Sequence, residues 1–198
     1  LFNDRLEHAL MLRSRDRRCV AVVSLDLDDF KLVNDSLGHP TADSLLVQAG
    51  NRIDECVRPG DTVARVGGDE FALLLEGEAD DAHLVAQRVV ERFNDPFVVD
   101  GHQILMRPSV GVAVAPAGEP DVDAQTLIKR ADMIAAFHEA TRLAGFTIAE
   151  AGTYFGRPRT VTADGLPLTP QPSATVEAAF LARFAELEQP PARPGEKG

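Results

Sequence analysis

Two cysteines among 198 residues, Cys19 and Cys56, are too few for a disulfide framework and lack the paired spacing of a zinc site. The five histidines are equally scattered. Both cysteines read as reduced core residues. No apolar stretch approaches the roughly 20 residues of a membrane span; the longest are Val20 to Val23 and Val110 to Ala117. Cations are also scarce: 20 Lys and Arg stand against 31 Asp and Glu, a formal charge of -11, with no basic run to follow a nucleic-acid backbone. Nucleic acid is therefore excluded as a partner. An acidic chain that handles phosphate must neutralise it locally, through metal ions or a few placed cations. Its clustered carboxylates thus become candidate metal ligands.

The start Leu1-Phe2-Asn3 has neither methionine nor a secretory apolar segment, so the chain reads as part of a longer protein. A cytoplasmic domain is expected, with any membrane anchor upstream. Seven of the 13 prolines follow Ala151, and Gly156 to Ala174 has neither helical nor strand period. A compact domain over 1–150 is expected, with a Pro/Gly-rich extension over 151–198 that carries a short helix at 174–187 and a disordered end. Within the domain the period alternates between 2 and 3.6. Helices are expected from Phe2, over Ala42 to Cys56, Asp80 to Phe93 and Asp123 to Leu143. Strands are expected over Val20 to Leu25, Thr62 to Val66, Phe71 to Leu75, Phe97 to Val99, Gln103 to Met106 and Ser109 to Ala115. Interleaved strands and helices with tight hairpins give an α/β (α+β) class with a central mixed sheet flanked by helices.

The apolar strand Val20 to Leu25 runs into Asp26-Leu27-Asp28-Asp29, delivering carboxylates to one sheet edge. Asp28 and Asp29 read equally well as N-caps of the next helix. Asp26 ends an apolar strand, where a carboxylate is costly unless paired or metal-bound. The second element is Val66-Gly67-Gly68-Asp69-Glu70-Phe71 between two apolar strands. Gly-Gly suits a tight hairpin with positive φ and leaves room for a ligand. A hairpin does not need the two adjacent carboxylates, which repel unless a cation intervenes. If the hairpin pairs with the first strand, Asp26 and Asp69 converge into the two-carboxylate arrangement that holds Mg²⁺ against phosphate.

Gly67-Gly68-Asp69-Glu70-Phe71 resembles the signature of the GGDEF family of diguanylate cyclases, and Asp26 to His39 resembles that family's second long motif, over about Leu1 to Leu143. The resemblance implies a palm-like domain that joins two GTP molecules into cyclic di-GMP with release of pyrophosphate. It implies Mg²⁺ (or Mn²⁺) on Asp26, Asp69, Glu70 and the Leu27 carbonyl, with Glu70 and Asp69 catalytic. Lys31 matches a cation near the phosphates. Asn34 and Asp43 match guanine-reading positions, with Phe30, Gly67 and Gly68 also lining the substrate. Arg58-Pro59-Gly60-Asp61 resembles an inhibitory RxxD site for product, with Arg88 as a further contact; taken by itself the segment is a polar Pro-Gly turn. The implied partners are GTP, cyclic di-GMP, a second copy of the domain in a twofold dimer, and an upstream regulatory region.

The helix Ala131 to Glu139 departs from the family pattern. Ala136 replaces an expected aromatic, and Glu139 stands where a phosphate-gripping lysine is expected. Arg142, a turn later, is the alternative cation. An anion beside a triphosphate weakens binding and catalysis. Two functions are therefore carried forward: an active diguanylate cyclase, or a GGDEF module that binds GTP or cyclic di-GMP as a sensor.

Overall fold

A computed structural model describes residues 1–16, 18–116 and 122–155. The elements run α1 (Phe2–Asp16), β1 (Cys19–Leu27), α2 (Phe30–Leu37), α3 (His39–Asp54), β2 (Thr62–Arg65), β3 (Glu70–Gly77), α4 (Ala79–Arg92), β4 (Phe97–Val99), β5 (His102–Ile104), β6 (Pro108–Ala115), α5 (Ala124–Arg142) and α6 (Ile148–Tyr154). Four strands form a sheet in the order β2-β3-β1-β6, and β4 and β5 form a separate hairpin. The α+β class and the flanking helices are as expected. The pairings correct one detail: β1 with β3, β1 with β6 and β2 with β3 are all antiparallel, so the sheet is antiparallel where a mixed one was expected.

β1 is central and apolar because both of its faces are covered. Ala21, Val23, Leu25 and Leu27 pack under α3 and α4 with Leu45, Ile53, Phe71, Val89 and Phe93. Val20 and Val22 pack on the other side with Leu6, Leu127 and Ala131 of α1 and α5. Successive side chains of a strand alternate between faces. Asp26 therefore continues the Val20, Val22, Ser24 row that faces α1 and α5.

Helix α5 lies unusually close to the sheet at Gly111 of β6. A Cβ there would come within 2.0 Å of the Ala131 carbonyl oxygen and 2.5 Å of the Ala135 nitrogen. This contact sets the height of α5, and with it the position of Glu139 one turn beyond Ala135. Asp123 caps the same helix by accepting from the Thr126 N–H at 2.7 Å.

Helix α3 is tied to the β4–β5 side at three levels. The Thr41 hydroxyl donates to Asp100 Oδ2 at 3.0 Å, and Gln48 Nε2 donates to the Val98 carbonyl at 2.9 Å. The Arg52 guanidinium donates to the carbonyls of Arg92, Asp95 and Pro96 while its carbon sits 3.6 Å from the Phe97 ring centroid.

The boundary drawn at Ala151 falls inside α6, where Ala151 is fully buried with Phe137 and Ala140. The helix expected at 174–187 lies outside the described residues. Among the described residues no helix is long and apolar enough to cross a membrane.

Candidate functional site

The antiparallel ladder places the carboxylates. Asp26, the penultimate residue of β1, pairs with Glu70 at the start of β3 and with Ser109 on β6. The Leu27 N–H donates to the Asp69 carbonyl at 3.3 Å, bringing the hairpin tip against the end of β1. Asp26 and Glu70 line a trough of about 670 Å³ between the sheet, α1 and α5. Glu139 lines it too, together with Ala135, Ala136 and Asp132.

The electrostatics report the convergence. Burial, then the charges of Asp69, Glu139, Glu70 and Asp28, push the Asp26 carboxyl up to about 7. Burial also raises Glu139, reinforced by Asp28, Asp69 and Asp29. Six carboxylates thus share one field. The Asp28 carboxyl is raised chiefly by burial, opposed by the hydroxyl of Ser109, which donates to its Oδ1 at 2.7 Å, and by the charge of Arg142.

Two local expectations are corrected. Asp29 occupies the N-cap position of α2 but takes a left-handed conformation, φ 59°, and its side chain caps nothing. Asp28 does not cap either, because its carboxyl turns to Ser109. Gly67 and Gly68 are not among the positive-φ residues, so the hairpin is not the primed turn expected. It closes instead with the N–H groups of Val66 and Gly67 both donating to the Glu70 carbonyl. Gly67 serves through its lack of a side chain: a Cβ would lie 2.3 Å from Glu70 Oε2, which folds across it.

The residues matched to guanine and phosphate lie on the α2–α3 side, outside the trough. Lys31 and Asp43 are exposed, and Phe30 is half-buried against the core. Asn34 is half-buried, and its side-chain oxygen is buried without a hydrogen-bond partner. An acceptor left in that condition is costly unless a donor arrives. Arg142 ends α5, exposed, and its charge opposes the burial that raises Asp28 and adds to the burial that lowers His138. Glu139, not Arg142, faces the trough.

At the far end of β3, Arg58 and Asp61 form one turn: the Arg58 N–H donates to Asp61 Oδ2 at 3.1 Å, and Nε lies 3.4 Å from Oδ1. Arg88 donates to the Cys56 carbonyl at 2.8 Å. Sequence reasoning missed Ser109, the hydroxyl that holds Asp28, and Asp81, a second carboxylate on Arg58. Nothing local distinguishes either; each partner pair is brought together only by the fold.

The oxygen donors at the β1–β3 edge suit a hard divalent cation. Among the described residues no three His, Cys, Asp or Glu side chains form a ready-made cage. Magnesium is commonly held by one or two carboxylates, with waters and substrate phosphates completing its shell. The donor set fits that mode.

A family model described as diguanylate cyclase, GGDEF domain, matches residues 1–141. Over 117 residues the chain is 44% identical to the bifunctional diguanylate cyclase/cyclic di-GMP phosphodiesterase MucR of Pseudomonas aeruginosa, covering 59% of this chain and 17% of that protein. Over 118 residues it is 39% identical to the diguanylate cyclase TpbB of the same species, covering 58% and 27%. The chain thus spans well under two thirds of these relatives' own lengths. The crystal structure of the TpbB GGDEF domain superposes with a TM-score of 0.66 at 34% identity, over 71% of this chain and 88% of that one. The GGDEF domain of DgcB from Caulobacter crescentus, solved in complex with c-di-GMP, gives 0.60 at 27% identity, over 71% and 82%. Matched over most of its length by the family model and built on the same fold, this chain belongs to the GGDEF family of diguanylate cyclase domains.

Proposed function

We propose that this domain condenses two GTP molecules into cyclic di-GMP in a twofold dimer, each copy presenting one nucleotide. The observation that carries the reading is the convergence of Asp26, Asp69 and Glu70 at the β1–β3 edge, with Asp26 raised to about 7 by burial first and by its acidic neighbours next. These residues, with the Leu27 carbonyl, would hold Mg²⁺ or Mn²⁺. When bound, such a cation neutralises phosphate charge and makes the attacking hydroxyl more acidic.

The chain's own residues do the remainder. Asn34 presents its unpartnered amide oxygen, and Asp43 its carboxylate, to the donors of the guanine edge. Lys31 and Arg142 supply positive charge near the phosphates. Glu70 accepts the proton of the 3′-hydroxyl as that oxygen bonds to the partner's α-phosphorus; the bond to the β-phosphate oxygen breaks and pyrophosphate leaves. The same exchange in the other half closes the ring. Arg58 and Asp61, aided by Arg88, form the product-inhibition site, and an upstream region governs pairing. The GTP requirement places the domain in the cytoplasm.

One observation favours the sensor reading instead: Glu139 adds a further carboxylate where the triphosphate needs a cation. Incubation with GTP and Mg²⁺, at several protein concentrations, followed by chromatography decides between them. Cyclic di-GMP is expected, at a rate per domain that rises with concentration and vanishes in Asp69→Ala. GTP binding without cyclic di-GMP overturns the cyclase reading in favour of the sensor.

A further inference from the structure

The Arg58 side chain is partly exposed, yet each of its three side-chain nitrogens already faces an oxygen. Its Nη1 lies 3.6 Å from Asp81 Oδ2, its Nε faces Asp61, and its Nη2 donates to the Glu76 carbonyl. Gly77 makes this posture possible. A Cβ at Gly77 would lie 2.7 Å from Arg58 Nη2 and 2.8 Å from Asp81 Oδ2, so the guanidinium and the carboxylate meet over bare backbone. Asp81 is fixed there by the start of α4, where its Oδ2 also faces the Glu78 N–H at 3.4 Å.

We propose that Asp81 latches Arg58 shut, acting as a built-in competitor that a dinucleotide phosphate must displace before the guanidinium can engage it. The inference rests on the reading of Arg58 and Asp61 as the product site. A guanidinium offers a fork of donors that matches phosphate or a guanine edge. Here Asp81 and the Glu76 carbonyl occupy that fork, and Asp81 adds a negative charge that repels an approaching phosphate. Apparent affinity is reduced by the fraction of molecules in which the fork is free. Both side chains remain partly in solvent, 53% and 43% exposed, so the latch is weak enough to open. It raises the product concentration needed for occupancy without abolishing it.

Calorimetric titration with cyclic di-GMP, and separately with GTP, tests the latch in the wild-type chain, Asp81→Asn, Asp81→Ser and Arg58→Ala. Asn and Ser both keep an acceptor for the α4 start while removing the charge, so at least one folded variant is available. Asp81→Asn and Asp81→Ser are expected to bind cyclic di-GMP about three- to fivefold tighter than wild type, the scale of an exposed ion pair, with GTP affinity unchanged. Binding by Asp81→Asn where wild type shows none supports the latch equally. If Arg58→Ala loses binding but the Asp81 variants match wild type, the latch is overturned and the product site stands. If no chain binds, or Arg58→Ala binds as wild type does, the product-site reading falls and the latch with it.

Discussion

Asp26 and Glu70 stand opposite each other on the antiparallel β1–β3 ladder and open into the same trough. Directly opposed like charges destabilise a sheet. The cost of the pair to the fold can be measured.

The folded Asp26 carboxyl, at about 7, lies above its ordinary 3.8. Between those values the native state binds more protons than the unfolded chain, so unfolding free energy falls as pH rises from about 4 to 7. Asp28 and Glu139, raised in the same direction, add to that slope. In chelator, the wild-type melting temperature is expected to decline across this window more steeply than that of Asp26→Asn. At pH 8 the variant should be the more stable by ~1–2 kcal/mol after allowance for solvent screening. Equal slopes in scanning calorimetry would refute the assignment.

Glu139→Lys exchanges an anion in the trough for the cation that a triphosphate requires. Loss of repulsion and gain of attraction should raise kcat/KM for cyclic di-GMP formation by about tenfold, a barrier change of ~1.4 kcal/mol. The variant should also relieve part of the upward push on Asp26, so the pH profile of metal-free stability shifts to lower pH. Unchanged turnover in product chromatography would place the effective cation at Arg142 instead.

Gly111→Ala puts a methyl group into the backbone of α5, whose Ala131 oxygen leaves no room for it. The helix must lift, at a cost of ~3 kcal/mol or more, equivalent to a fall in Tm on the order of 10 °C. Because Glu139 rides on the same helix, whatever turnover remains should change as well. Wild-type stability in thermal unfolding would show that the helix can shift freely.

The parts of the fold that depend on periodicity were legible in the sequence. β1, α3, β3, α4 and α5 follow from apolar runs or helical spacing, and the two carboxylate motifs could be named before any coordinates. Geometry set by contacts distant in sequence was not legible. The Gly67-Gly68 pair suggested positive φ because that is the usual reason for two glycines in a hairpin; here Gly67 is small to admit Glu70. Asp29 carried the composition of an N-cap but adopts a left-handed turn without capping. The short α6 was not legible because Ala151 is the one buried residue among its seven, packed on Phe137 and Ala140 of α5, so no helical repeat of buried positions marks it. The position of Glu139 inside the trough follows from how closely α5 rests on Gly111, which one sequence does not display.

The three ties on α3 give the β4–β5 hairpin a mechanical role beyond its small size. The hairpin contributes no strand to the main sheet, yet Thr41 and Gln48 hydrogen-bond to it and Arg52 stacks on its Phe97 ring, along the length of the helix that carries Asp43. Three separate ties thus couple helix and hairpin, from Thr41 near one end to the Phe97 stack near the other. A mutation at the Asp100-Gly101 tip is expected to be felt in the first turns of α3 through the Thr41 bond, and the amides of both elements are expected to exchange with solvent as a single cooperative unit.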